Sequence, residues 1–148
     1  MHVAPVVSLA AVLVTGLAIA CSTSAAPPID RIAVRSGWAR IADSGATSGA
    51  YLELTNNDTV PITLVGITTN DAGAAEVHET MQRDGMAHMM PRTALRIPAG
   101  GVLAMAPGGL HVMLTDVRHT LVIGDSVRLR LRFNDRRSVS VTAPVRTP

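Results

Sequence analysis

The sequence predicts an all-β domain: an antiparallel sandwich or small barrel of about eight or nine short strands. Three observations lead there. No helical period of useful length occurs after residue 30. Short runs rich in Val, Ile, Leu and Thr recur along the chain, several alternating at period two. Clusters of Gly, Pro, Asn and Asp stand between these runs, as the loops of a sandwich require.

Residues 1–20 hold no Asp, Glu, Lys or Arg and are rich in Val, Ala and Leu, which reads as the apolar core of an export signal. The usual positive start is missing, since only His2 precedes the core. A membrane-spanning helix is the competing reading. Pro5, Ser8, Thr15 and Gly16 interrupt the run, and no basic residues follow closely, so export is expected. Cys21 is the single cysteine and follows Leu17-Ala18-Ile19-Ala20, which resembles a bacterial lipoprotein cleavage site. The expectation is a lipidated Cys21 that becomes the first residue and anchors the chain to a membrane. The rival is ordinary cleavage after Ser24 or Ala25. Either way the folded part has neither a disulfide nor a reactive thiol. Cleavage before Cys21 leaves 148 − 20 = 128 residues. A domain of that size buries about two-thirds of its unfolded surface and needs no staple. Residues 21–30 read as a tether, and 31–145 as the folded domain.

The strand candidates follow in order: Ile32–Ala39, Ala50–Thr55, Ile62–Thr68, Ala75–Met81, Ala94–Ile97, Val102–Met105, His111–Leu114, Ser126–Phe133 and Val139–Ala143. Turns fall at Asn56-Asn57-Asp58, Asn70-Asp71-Ala72-Gly73, Pro98-Ala99-Gly100-Gly101, Pro107-Gly108-Gly109 and Asn134-Asp135. The stretch Gly85–Pro91 reads as a loop or a short hairpin arm. The last two strands read as a hairpin closed by Asn134-Asp135-Arg136-Arg137.

Formal net charge is +2, and all 13 basic residues are Arg. Arg128, Arg130 and Arg132 alternate with Val127, Leu129, Leu131 and Phe133, which places the arginines on one face of a strand. A solvated face is expected; a docking patch for an acidic partner or anionic lipid is the alternative. Nucleic acid is excluded, because an exported chain rarely meets it and only three aromatic residues exist for stacking.

Chemistry concentrates between residues 78 and 113. All six methionines after the initiator lie there, at 81, 86, 89, 90, 105 and 113, with His78, His88 and His111. Methionine used only as core filler scatters over all strands. His111 and Met113 stand at i and i+2, so a strand turns both to one face, with Cα atoms roughly 6.6–6.8 Å apart. Leu110, Val112 and Leu114 then face the core. His78 and Thr80 share one face of their own strand, opposite Ala75 and Val77. Met89 follows in the stretch after it. Met105 and Phe133 are expected in the core, His119 in solvent, and Glu76 and Glu79 either exposed or orienting His78.

Imidazoles and thioethers together select against Ca²⁺ and Mg²⁺, which want oxygen, and against zinc, which takes thiolate, imidazole and carboxylate. Thioethers favour copper, above all Cu(I). A blue-copper electron carrier needs a cysteine thiolate, which the domain lacks. Neutral donors also suit a site that loads and unloads, outside the reducing cytoplasm.

Ten residues separate His78 from Met89, and twenty-one separate Met89 from the His111-x-Met113 pair. These gaps come with Val77-His78-Glu79-Thr80-Met81, Ile97-Pro98-Ala99-Gly100-Gly101 and Pro107-Gly108-Gly109-Leu110-His111-Val112-Met113-Leu114. The pattern resembles the periplasmic copper chaperones called PCu(A)C over roughly residues 32–143. The resemblance implies a cupredoxin-like β-sandwich with one copper at His78, Met89, His111 and Met113; two neutral imidazoles and two neutral thioethers leave no general base, so no enzymatic activity is expected. It also implies delivery to cytochrome c oxidase or to a Sco-type assembly protein, in the periplasm or at the outer face of the cytoplasmic membrane. Relatives often carry Met two residues after the first His, where this chain has Thr80. Some carry a His/Met-rich tail for a second copper; this chain ends Val145-Arg146-Thr147-Pro148, so a second copper site is not expected. Met81, Met86, His88 and Met90 read as the surround of the site, one of them able to replace Met89. The rival functions are copper sequestration without delivery, a copper oxidoreductase, and a metal-free envelope scaffold.

Overall fold

The computed structural model describes residues 31–148. The export signal, Cys21 and the whole tether lie outside the described residues. Ten strands form: β1 (Ile32–Arg40), β2 (Ser48–Asn56), β3 (Ile62–Thr69), β4 (Ala72–Arg83), β5 (Met86–Pro91), β6 (Leu95–Ile97), β7 (Val102–Ala104), β8 (Leu110–Val117), β9 (Ser126–Phe133) and β10 (Ser138–Arg146). Among the described residues there is no helix. The all-β expectation holds, with one strand more than expected. The added strand is β5, from the stretch that read as a loop or hairpin arm. Asp84 and Gly85 close it onto β4 with φ of 53° and 76°. Two positive-φ residues in a two-residue loop match the twist of paired strands, and Asp-Gly is a favoured pair there.

Strand order is β5-β4-β8-β2-β1-β10-β9-β3-β6, with β7 also on β2. The sheet turns back on itself at one parallel join, Ala39 opposite Val145 and Arg40 opposite Arg146; every other strand pairing is antiparallel. Its two halves then bury one common core. Leu52, Leu54, Val112 and Leu114 come from one half, and Ile62, Leu64, Leu129, Leu131 and Phe133 from the other. Fully burying each such side chain contributes about 1.5–3 kcal/mol. Met105 and Phe133 are in this core, as expected, and His119 is exposed.

The hairpin β9–β10 forms as expected, but Ser138 stands opposite Arg132, so Phe133 bonds to Arg137 and the loop closes one residue tighter, at Asn134-Asp135-Arg136. Its even-numbered arginines are exposed and its odd-numbered apolar residues buried. In the turn, burial would push the Asp135 carboxyl up, but the Arg137 backbone N–H, guanidinium and charge outweigh it and hold it below the usual carboxylate range. A carboxyl lowered on folding adds stability that is present above its unfolded value and is lost as pH falls through the folded one. Asp135→Asn is therefore expected to flatten the acid side of the stability profile below about pH 4. Urea unfolding of both chains at pH 7 and pH 3 checks this; equal loss of stability on acidification in both would refute it.

Candidate metal centre

Three antiparallel strands at one end of the sheet order build the site. The register sets His78 of β4 directly opposite His111 of β8, and Glu76 opposite Met113. On the other side of β4, Thr80 stands opposite Met89 of β5. Opposed residues in an antiparallel ladder point to the same face. His78, His111, Met113 and Met89 therefore share one face, turned away from Val77 and Val112. All four residues that the sequence singled out come to this face.

His78 and His111 are each 8% exposed, and their ring centroids are 6.3 Å apart. A bound metal lies about 2 Å from an imidazole nitrogen, so two rings at this separation can share one ion. Met89, His111 and Met113 line a hollow of about 420 Å³ with Thr80, Gly49 and Tyr51. Met89 is 62% exposed, so its sulfur is the outermost of the candidate donors. Edge strand β5 gives it a place on the ladder while leaving its side chain free to swing.

Hydrogen bonds sort the ring nitrogens. His111 Nδ1 donates to the Gly109 carbonyl at 3.0 Å, which leaves the Nε2 lone pair free. The same carbonyl accepts the Thr80 N–H at 3.1 Å, tying β4 to the turn before β8. Gly108 allows that turn, at φ 82°. His78 Nε2 donates to Glu76 Oε2 at 3.4 Å, while its Nδ1 is buried with no hydrogen-bond partner. A buried nitrogen without a partner costs about 1–3 kcal/mol; a metal ion would remove that cost. Glu76 thus orients His78, whereas Glu79 is engaged with Arg92 at 3.3 Å.

Among the described residues no group of three His, Cys, Asp or Glu side chains could hold a metal. The site therefore offers two imidazoles and thioethers, a set suited to a soft cation and unsuited to zinc or calcium.

The structure adds what sequence reasoning missed. Tyr51 of β2 lies beside His111, ring centroids 6.4 Å apart, and Trp38 of β1 lies 4.5 Å beyond Tyr51. The chain's one Trp and one Tyr thus form a wall continuing the histidine row. Gly49 faces the same hollow, and a Cβ there would come within 3.1 Å of the Tyr51 hydroxyl. The period-two alternation Gly49-x-Tyr51 was the available signal, but nothing in it revealed which strand lay alongside. One expectation is corrected: Met81, Met86, His88 and Met90 do not surround the hollow. Met81 opposes His88 and Glu79 opposes Met90, at odd positions of β4 that face the other way.

A family model named LpqE-like, described as a "Putative lipoprotein", matches residues 32–145. A protein of Leifsonia xyli subsp. xyli with a lipoprotein name, Lxx21020, is 34% identical over 145 residues, spanning 94% of this chain and 87% of that one. Among solved structures, the Cu(I) form of DR1885 from Deinococcus radiodurans is 32% identical, with a TM-score of 0.59 over 86% of this chain and 83% of that one. A copper-bound PCuAC domain from PmoF2 is 24% identical, with a TM-score of 0.65 over 80% of this chain and 94% of that domain. The last likeness is one of fold, and it bears out the expected all-β, cupredoxin-like sandwich.

Proposed function

The chain belongs to the LpqE-like family, and from that premise we propose that it is an extracytoplasmic copper chaperone holding one Cu(I) at His78, Met89, His111 and Met113. One observation carries the reading: His78 and His111 stand directly opposite each other with ring centroids 6.3 Å apart, and the buried His78 Nδ1 has no hydrogen-bond partner. Copper as cargo supplies what that nitrogen lacks. DR1885, similar in sequence and fold, has been solved in a Cu(I) form, which supports the choice of ion and oxidation state.

Carrying and releasing are both served by this geometry. The two imidazoles are fixed by hydrogen bonds and burial, so they lose little entropy on binding. Met89 sits at the open rim, where an incoming donor can replace its sulfur before the histidines let go. All four donors are neutral, so a bound Cu(I) keeps its positive charge in a hollow that Arg40 also lines, which weakens retention against an anionic acceptor. The recipient in this reading is the copper centre of cytochrome c oxidase or a Sco-type assembly protein. A lipidated Cys21 would keep the domain at the membrane surface where such acceptors stand.

Transfer is the discriminating property. Copper-loaded chain mixed with an apo oxidase copper domain, oxidised after mixing, is expected to develop the acceptor's purple copper absorption. Copper that stays on the chain through such mixing, with the acceptor competent to take free copper, would make the protein a sequestration device and overturn delivery.

A further inference from the structure

Four soft donors lie on the face of the β4–β5 hairpin opposite the hollow. His88 of β5 stands directly across from Met81 of β4, and Arg83 directly across from Met86. Met86, His88 and Met90 occupy alternate positions of β5, so they point to one side with a spacing of roughly 6.6–6.8 Å. Directly opposed Cβ atoms lie about 4.5–5.5 Å apart, and diagonal neighbours within about 7–8 Å. Met81 is opposite His88 and diagonal to both Met86 and Met90. One imidazole is thus ringed by three thioethers at separations their side chains can close.

These side chains are free to do so. Met81 is 41% exposed, Met86 61% and Met90 51%, and His88 is exposed. Exposed methionine on an edge strand carries a solubility cost, and the hairpin has no aromatic or branched aliphatic side chain beyond Val77 to make it a docking face. The charged groups on this side are Arg83 at the tip and Glu79, which Arg92 already occupies. Nothing there offers the oxygen cage a hard cation needs.

The geometry points to a second site, for a soft monovalent ion such as Cu(I), held by Met81, Met86, His88 and Met90 on the reverse face of the hairpin. Its donors are separate from those of the hollow, and only its role as a landing place rests on that proposed site. Its donors are exposed and unbraced, so it binds at least tenfold more weakly than the hollow. Because Met89 lies between His88 and Met90 on the same strand, the two sites are separated by the thickness of one edge strand. The outer site then serves as a landing place from which an ion passes to the buried imidazoles.

The test uses the full chain with ¹³C-methyl methionine, titrated with Cu(I) under a competing coloured chelator and, in parallel, with redox-inert Ag(I). The expected result is two equivalents per chain. The Met89 and Met113 methyl signals move with the first, and those of Met81, Met86 and Met90 with the second. In the variant M81L/M86L/H88Q/M90L, which changes exposed positions alone, the second equivalent is lost. One equivalent in the parent chain with the Met81, Met86 and Met90 signals unmoved would overturn the inference and leave the hairpin a docking surface. Two equivalents in the variant would overturn it as well. A parent chain that moves only those three signals keeps this site and overturns the proposed role of the hollow.

Discussion

A chain carrying His111→Ala and Met113→Ala should fold normally and lose Cu(I) affinity at the hollow by about a hundredfold or more. The comparison is made in the M81L/M86L/H88Q/M90L background, so that the hollow is the sole soft site expected to bind. Removing groups that merely orient a metal ligand costs 10–100-fold, and here two proposed ligands go at once; a hundredfold is about 2.8 kcal/mol. Folding survives for a specific reason. The carbonyl that His111 Nδ1 donates to also accepts the Thr80 N–H, so it is not orphaned. The Met113 side chain is on the site face, away from the Val112 and Leu114 core. Competition with a chromophoric Cu(I) chelator reads the affinity, and thermal melting of the apo chains confirms the fold. Affinity within a factor of three of the parent, in a folded variant, would remove His111 and Met113 from the site.

The second large effect concerns stability. Asn56→Ala should destabilise the domain by roughly 2–4 kcal/mol. Asn56 is fully buried at the end of β2. Its amide Nδ2 donates to the carbonyls of Val60 at 2.8 Å, Pro98 at 3.0 Å and Ile97 at 3.3 Å, and its Oδ1 accepts the Asp58 N–H at 3.0 Å. One side chain thus clamps the β2–β3 turn to the turn between β6 and β7. Alanine leaves several of these groups dry and unpaired, each at about 1–3 kcal/mol before relaxation. Asn56→Asp should be at least as damaging, because it keeps the acceptor and sets a carboxylate against three carbonyls. Urea unfolding at neutral pH measures both; a loss under 1 kcal/mol for Asn56→Ala would show that water reaches the clamp.

Asn56 also marks where sequence reading stopped. As the first of Asn56-Asn57-Asp58 it read as a turn, and the backbone does turn there. That its side chain is sealed in by β6 and its following turn, some forty residues on, depends on packing between elements that no local pattern records. Strand β5 is a milder case. Its six residues are all exposed, so they lack the in-and-out polarity that marks a half-buried strand, and the Asp84-Gly85 pair, the one local signal, was not among the turns read from the sequence. Tyr51 and Gly49 escaped for the same reason as Asn56: their alternation was visible, but their neighbour β8 was not.

From sequence alone came the all-β class, most strand positions, the soft donor set and the spacing His78, Met89, His111-x-Met113. Each rests on composition or on the two-residue period of an extended backbone, which any short stretch of chain expresses by itself. The tertiary structure decided which donors meet. It set His78 against His111, put Met89 on their side, and sent Met81, His88, Met86 and Met90 to the other. Register is the physical reason: a slip of one residue between β4 and β5 would exchange the two faces. That register is held by the Asp84-Gly85 turn and the buried core beneath β4 and β8 acting together.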